Sequence, residues 1–494
     1  MTIDRVTNPD RLSGLDASFL HLERGGRAPM HVAEVLIFEG AAPGYVELVE
    51  HILSRLDLVP RYRQRLAEVP LGQGRPVWVD DPHFNVRYHL RHAGLPHPGD
   101  DAQLKRLAGR LFSQPLDRDK PLWELYLVEG LSGDRFALIG KTHHALVDGV
   151  SGVDITTVLF DATPEPAEPP APQTPWVPRP APTPAQLLAE ALLERTTVPG
   201  EIARGVRAAL RAPRRAAKVA FERLTEVGAF ASIGLEPAPP SPYNVPIGPH
   251  RRYEWVDADL ATFKAIKDTL GGTVNDVVLT VVAGALGRHM RANGHRTQGL
   301  ELRALVPVSV RGQDDQPGTL GNRVAAVWAP LPVGETDPVA VFDRVHEAMA
   351  HVKANHEAVG AQTLTELTNF APPTIMSQAA RLQARQRFFN VVVTNVPGPQ
   401  FPLYLLGRRL ERLYPVVPLA ERLAVGIAVM SYDGRLGFGL LGDLDALPDL
   451  SALAGMLDES IDDLARAAGV RRPRPRRRGA RSANGRFEKA PAGR

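Results

Sequence analysis

An α/β fold built as two halves is what three features of this sequence predict. Short apolar runs alternate with segments of helical spacing both before residue 160 and after residue 250. Between the two series lies a stretch, Asp161 to Pro184, with ten prolines, too many for regular secondary structure. The chain is 494 residues long and 44% apolar, enough for two or three domains with sizeable cores.

Taken in order, Met30 to Phe38 (MHVAEVLIF) reads as a strand and Tyr45 to Leu56 as a helix. Gly130 to Thr142 gives a turn and a strand around the apolar run FALIG. Val150 to Phe160 reads as a helix whose N-terminus favours developing negative charge just upstream. These elements make a first half, residues 1–160. The proline-rich run is expected to be an extended, semi-rigid strap. Helical pieces follow at Pro184 to Glu194 and Glu201 to Leu224, completing a linker region, 161–250. The second piece carries Arg204, Arg207, Arg211, Arg214, Arg215 and Lys218 with no acid between them. Such a helix suits either an anionic membrane surface or an ordinary packing role with a solvated basic face. The second half, 251–470, alternates again: Arg252 to Val256, Asp259 to Leu270, Asn275 to Asn293, Glu301 to Val308, Asp337 to Ala354, Val391 to Asn395, Ala424 to Tyr432 and Gly437 to Gly442. Two halves of similar size are consistent with a cleft between them, where ligand sites often form.

The net charge of +3 is unevenly spread. Residues 471–494 hold nine arginines and one lysine against the single acid Glu488, so the rest of the chain is net negative. This tail is too polar to build a core and is expected to be disordered. It suits anionic lipid, nucleic acid or plain solvation, and a specific nucleic-acid function would rest on the tail alone. The absence of cysteine excludes disulfides, thiol nucleophiles and thiolate metal sites, and fits a reducing cytoplasm. MTIDRVTNPDRLSGLD has no apolar core of a secretory signal. No uncharged apolar run approaches the roughly 18–20 residues of a spanning helix, so a cytoplasmic or peripheral protein is expected.

The chemistry concentrates in KTHHALVDGVSG, Lys141 to Gly152. His143 and His144 are followed by Asp148 and Gly149, an Asp-Gly turn at the end of the apolar strand. Neighbouring strand side chains point to opposite faces, so only one of the two imidazoles easily faces a given reaction centre. Imidazole, with a pKa of about 6.5, suits general-base work near neutrality. A structural histidine beside the core is the competing reading. A metal site is disfavoured, because adjacent strand residues diverge and no HExxH pattern or cysteine completes it.

Several further blocks accompany the motif: LSGLDASFLHLE and APMHVAEVLIFEG near the start, WVDDPHFNVRYHLR, PLDRDKPLWELYLVEGL, TVNDVVLTVVAGAL, PVSVR with GNR, TNVPGP, and SYDG with FGLLGD. With HHALVDG among them, in this order across residues 11 to 450, the chain resembles the bacterial wax ester synthase/acyl-CoA:diacylglycerol acyltransferase family, within the HHxxxDG acyltransferase superfamily. The resemblance implies two chloramphenicol-acetyltransferase-like halves, each a mixed sheet with helices, and an active-site tunnel at their interface. It implies acyl transfer from acyl-CoA, a substrate and not a cofactor, to the hydroxyl of diacylglycerol or a long-chain alcohol at a membrane or lipid-droplet surface.

By the same resemblance His144 is the base, His143 its supporting neighbour, and Asp148 an organiser of the loop that pairs with an arginine. Gly149 is expected to permit close backbone approach. Asn275 is expected near the catalytic channel with Asp276 holding its geometry, although an Asn-Asp pair is also a helix-capping pattern. Arg311 and Asn322 are candidates for the CoA side. Pro121, Leu122 and Trp123 read as packing, and Asn395, Pro397, Gly398 and Pro399 as a rigid turn. Two other readings share these features: a condensation-type amide-forming enzyme with the same HHxxxDG motif, and a catalytically weak lipid-binding protein of the same fold.

Overall fold

The computed structural model describes residues 10–23, 28–147, 158–166, 175–193, 237–309, 324–354 and 388–472. The helices are α1 (Gly14–Glu23), α2 (Tyr45–Arg55), α3 (Val86–His89), α4 (Asp101–Phe112), α5 (His144–Val147), α6 (Pro184–Leu193), α7 (Leu260–Leu270), α8 (Val274–Ala292), α9 (Pro338–Ala354) and α10 (Leu450–Ala467). The strands are β1 (His31–Glu39), β2 (Gln64–Ala67), β3 (Val77–Asp80), β4 (Leu90–Gly94), β5 (Trp123–Leu131), β6 (Arg135–His143), β7 (Arg251–Asp259), β8 (Leu302–Ser309), β9 (Val324–Leu331), β10 (Val391–Pro397), β11 (Tyr404–Leu405), β12 (Arg408–Val416), β13 (Val425–Tyr432) and β14 (Arg435–Asp443). The expected elements that fall among the described residues lie within a few residues of these. Beyond the expectation, α1, α3, α4, α10, β2, β3, β4, β5, β9, β11 and β12 are regular structure as well.

Two six-stranded mixed sheets carry the molecule. The first runs β11-β12-β1-β6-β5-β4 and the second β7-β14-β13-β10-β8-β9. In the first, β6 pairs antiparallel with both of its neighbours, β1 and β5, and β4 joins β5 in parallel. In the second, β10 lies parallel to both β13 and β8. The expected boundary at residue 250 divides the chain but not the sheets. Strand β12, from the second half, pairs antiparallel with β1 of the first, Val35 opposite Tyr414.

The period-two pattern of β6 decides what each face of the first sheet meets. Phe136 and Leu138 join Phe38, Leu125, Leu127 and the buried side of α2 in one core. Ala137 and Ile139 face the other way, into a core shared with Tyr253, Val277, Phe438 and Leu453 of the second half. The halves therefore bury one continuous apolar interior between them.

Helix α8 is apolar nearly all round and almost wholly buried, the pattern of a core helix. It packs against α7, α9 and α10 and touches β9 and β10. The described part of the linker behaves as a strap. Arg179 fastens to Asp80 through its N–H at 2.9 Å and its guanidinium, Trp176 packs edge-on to Phe84, and Leu187 and Ala191 of α6 pack on Val69 and Val77. The basic segment 201–224, most of the expected helix 150–160 and the arginine-rich tail after Arg472 lie outside the described residues. Among the described residues no single helix is long and apolar enough to cross a membrane.

Candidate active site

Strand β6 ends at His143. The His143 N–H donates to the Leu122 carbonyl at 2.9 Å, and the His144 N–H to the Met30 carbonyl at 2.9 Å. From His144 the chain turns through the single helical turn α5. The strand stops between the two histidines, so strand alternation does not govern them; their rings meet different side chains, Glu23 and Phe19.

His143 is buried, and directly opposite it across the β1–β6 ladder stands His31. Its Nδ1 accepts the N–H of Ala145 at 3.1 Å, so its ring proton resides on Nε2. That Nε2 lies 3.4 Å from Glu23 Oε2. Burial pushes the Glu23 carboxyl upward, but His143 and Arg118 outweigh it and hold the carboxyl at about 2. Arg118 Nη2 donates to Glu23 Oε2 at 2.7 Å and to the Leu20 carbonyl at 2.9 Å. Burial, reinforced by the charge of Lys141, pushes the His31 imidazole well below its ordinary range, so this neighbour stays neutral.

One rung further along β6, Lys141 is buried on the same face. Its Nζ donates to the Gln114 carbonyl at 2.8 Å and reaches Glu124 Oε2 at 3.3 Å. Glu124 also accepts from Tyr126 Oη at 2.8 Å and Arg91 Nη2 at 3.0 Å. Burial lowers the Lys141 ammonium, with Glu124 opposing the shift. This paired cluster fits the rule that buried charges carry partners.

His144 is half-buried. Its ring stacks on Phe19 of α1, centroids 3.9 Å apart and planes inclined by 20°. The histidine singled out as a base is thus a partly accessible imidazole with one face covered by a phenyl ring. Its neighbour is locked into a carboxylate-bearing interior.

Asp276 proves to be a capping residue. Thr273 is the N-cap of α8, its N–H donating to Asp276 Oδ2 at 2.8 Å while Asp276 N–H donates to Thr273 Oγ1 at 3.3 Å, a reciprocal box. His346 Nδ1 of α9 joins Asp276 Oδ2 at 3.0 Å. Gly272, at φ +83°, makes room, since a Cβ there would stand 2.8 Å from both Asp276 Oδ2 and His346 Nδ1. Asn275 sits one position earlier, and its Oδ1 accepts from Asn395 Nδ2 at 3.4 Å. Asn395 and Pro397 belong to strand β10 and not to a turn; the chain leaves the sheet only at Gly398, whose N–H donates to the Ser431 carbonyl at 3.0 Å. Asp148, Gly149, Arg311 and Asn322 lie outside the described residues.

A cavity of about 1460 Å³ opens elsewhere, lined by Trp255, Arg135, Arg412 and Asp257 among others. Arg135 and His143 are the two ends of β6, roughly 26 Å apart at the strand's rise per residue. This groove is therefore not the chamber of the histidines. Phe19, Glu23 and Arg118 were not picked out from the sequence. They stand inside the blocks LSGLDASFLHLE and PLDRDKPLWELYLVEGL, which were their only signal.

The model of the wax ester synthase/diacylglycerol acyltransferase catalytic domain matches residues 12–278, and that of the family's C-terminal domain residues 320–465. A putative diacylglycerol O-acyltransferase of Mycobacterium tuberculosis is 34% identical over 474 residues, covering 92% of this chain and 90% of that protein. A probable diacylglycerol O-acyltransferase of the same organism is 33% identical over 480 residues, covering 96% and 99%. The solved wax ester synthase/diacylglycerol acyltransferase of Marinobacter aquaeolei superposes with a TM-score of 0.65 at 29% identity, covering 93% of this chain and all of that one. The starter condensation domain of rhizomide synthetase, at a TM-score of 0.51 and 14% identity over 93% and 94% of the two chains, shares the fold alone. The chain thus belongs to the wax ester synthase/diacylglycerol acyltransferase family, and the two-sheet architecture predicted for it is that of the family.

Proposed function

We propose that the protein transfers a fatty acyl group from acyl-CoA to the hydroxyl of diacylglycerol, making triacylglycerol, and accepts long-chain alcohols in the same site to make wax esters. The observation that carries this reading is the half-buried His144, the first residue beyond β6, in a chain that matches acyltransferases over nearly its full length. A neutral hydroxyl is a poor nucleophile. His144 takes its proton as the oxygen attacks the thioester carbonyl. The tetrahedral intermediate then collapses, the carbon–sulfur bond breaks, and the proton passes from His144 to the departing CoA thiolate. The ester product and free CoA account for every atom, so acyl-CoA is consumed as a substrate and no cofactor enters. The chain has no cysteine, and no covalent acyl-enzyme is required.

Asn275 is assigned to positioning the reacting groups, with Asp276 holding the helix end that carries it. Both acceptors partition into lipid, which supports placing the enzyme at the membrane or lipid-droplet surface. The test is an acceptor panel with one long-chain acyl-CoA, read by product mass. Ester formed from diacylglycerol, from fatty alcohols or from both supports the assignment and sets the preference. No ester from any acceptor, with lipid surface supplied, overturns it.

A further inference from the structure

We propose that α1 is the positioning element of the catalytic base, acting through Phe19 and Glu23, and that Glu23 does so by fixing the proton of His143. This rests on the reading of His144 as the base. Phe19 and Glu23 are four residues apart, on one face of the helix. The two histidines they meet are consecutive in the chain but belong to different elements, β6 and α5. Phe19 stacks on the His144 ring at 3.9 Å, and Glu23 Oε2 stands 3.4 Å from His143 Nε2. One short helix therefore holds both members of the pair.

The chain of cause runs from charge to geometry. Arg118 and His143 keep Glu23 ionised despite its burial. A buried carboxylate accepts hydrogen bonds and donates none, and at 3.4 Å, outside hydrogen-bond geometry, its charge still favours a proton on the facing His143 Nε2. Nδ1 is then left as an acceptor, and it takes the N–H of Ala145 inside the turn that carries His144. With the other tautomer, Nδ1–H would confront the Ala145 N–H, two donors in a buried space, and the turn would shift. Phe19 supplies the second constraint. Stacking occupies a face of the His144 ring and not its nitrogen-bearing edge, so the imidazole is oriented without being blocked for proton transfer. Arg118 also donates to the Leu20 carbonyl, tying α1 down at its C-terminal end. Glu23, Phe19 and Arg118 touch no reacting atom in this scheme; they are positioning residues.

The experiment compares intact Glu23→Gln, Phe19→Leu and His144→Ala with the parent, using one long-chain acyl-CoA and diacylglycerol, with kcat normalised to folded protein. The expected result is a fall in kcat of about 10- to 100-fold for Glu23→Gln and Phe19→Leu, the scale of a slightly misplaced reacting group, with KM for acyl-CoA changed less than about threefold. Nitrogen-15 NMR of labelled histidine should show His143 with its proton on Nε2 in the parent and lose that signature in Glu23→Gln. If folded Glu23→Gln and Phe19→Leu keep the parental kcat while His144→Ala is dead, the positioning role is overturned and the base stands. If His144→Ala keeps its activity, the base assignment itself fails, whatever the other variants do. Should Glu23→Gln not fold, Arg118→Gln, which removes the more exposed partner, takes its place and is judged with Phe19→Leu by the same fall in kcat.

Discussion

Gly439 of β14 lies so close to the carbonyl of Pro415 in β12 that a Cβ on the glycine would stand 1.8 Å from the oxygen. Gly437 is in the same position against Leu413, at 2.0 Å. These two glycines let the first sheet's β12 cross directly over the second sheet. Tyr253 Oη bonds to the carbonyls of Tyr414 and Pro415 at 3.1 and 3.3 Å beside them. Because the obstructing atoms are backbone, they cannot rotate away. Gly439→Ala is expected to cost at least about 1–3 kcal/mol, the range of an overpacked core. Gly455→Ala, inside α10 with nothing within 4 Å of its new methyl, is expected to stabilise by up to about 1 kcal/mol through helix propensity. Thermal denaturation of the two variants should move in opposite directions.

Two of the buried groups that respond to acid, His89 and Glu23, do so in adjoining windows. Burial pushes His89 down from 6.5 to about 4, against the pull of its bond to the Trp123 carbonyl. The unfolded chain therefore takes up this proton first, and stability that is full above about pH 6.5 is lost as the pH falls to about 4. Glu23, depressed from 4.5 to about 2, contributes fully above about pH 4.5 and loses that contribution as the pH falls toward 2. Each shift corresponds to about 3 kcal/mol. Urea unfolding of the parent and Glu23→Gln from about pH 7 to about pH 3 should show a stability gap that is constant down to about pH 4.5 and then narrows. A gap that does not change with pH would sever the carboxylate from acid stability.

His144→Ala is expected to lower kcat by about 100- to 10,000-fold, the usual contribution of a general base, while far-ultraviolet circular dichroism and Tm stay near those of the parent. His143→Ala, by contrast, removes a buried acceptor of the Ala145 N–H and should lower Tm as well as turnover.

Arg55 and Asp161 form a buried pair at 2.9 Å. Around it, Arg55 Nη1 donates to the Val158 carbonyl at 2.9 Å, and His51 Nε2 meets the Leu159 carbonyl at 2.9 Å. Asp161 also bridges Tyr404. Asp161→Ala leaves a buried guanidinium without its carboxylate and should cost about 3–5 kcal/mol. An Arg55→Met/Asp161→Leu double variant should recover much of the loss, because no charge is stranded. Denaturant midpoints of the single and double variants decide the matter.

Local pattern made β1, α2, α7 and α8 legible, since alternation and helical spacing are properties of a few neighbouring residues. Strand β12 was not legible. RRLERLYPV buries only Leu410, Tyr414 and Val416, carries four charges and a proline, and owes its state to partners hundreds of residues away. The site divides in the same way. His143 and His144 announced themselves by chemistry and spacing, and the Asn275-Asp276 pair as a capping pattern, although the cap itself is Thr273. Glu23 and Arg118 did not, because a carboxylate at the end of a short helix and an arginine in a loop look like surface charges. Only the fold brings them beneath the base.

The placement of β12 has a consequence for how the protein is made. Strand β1 is nine residues long and its Val35, Leu36, Ile37 and Phe38 are all buried in the finished molecule. Its outer edge is closed only by a strand ending at residue 416 of 494. During synthesis the nascent first half therefore emerges from the ribosome with a long apolar edge unpaired, the kind of surface that recruits other chains. A truncated message ending after the proline strap would encode an adhesive fragment rather than half an enzyme.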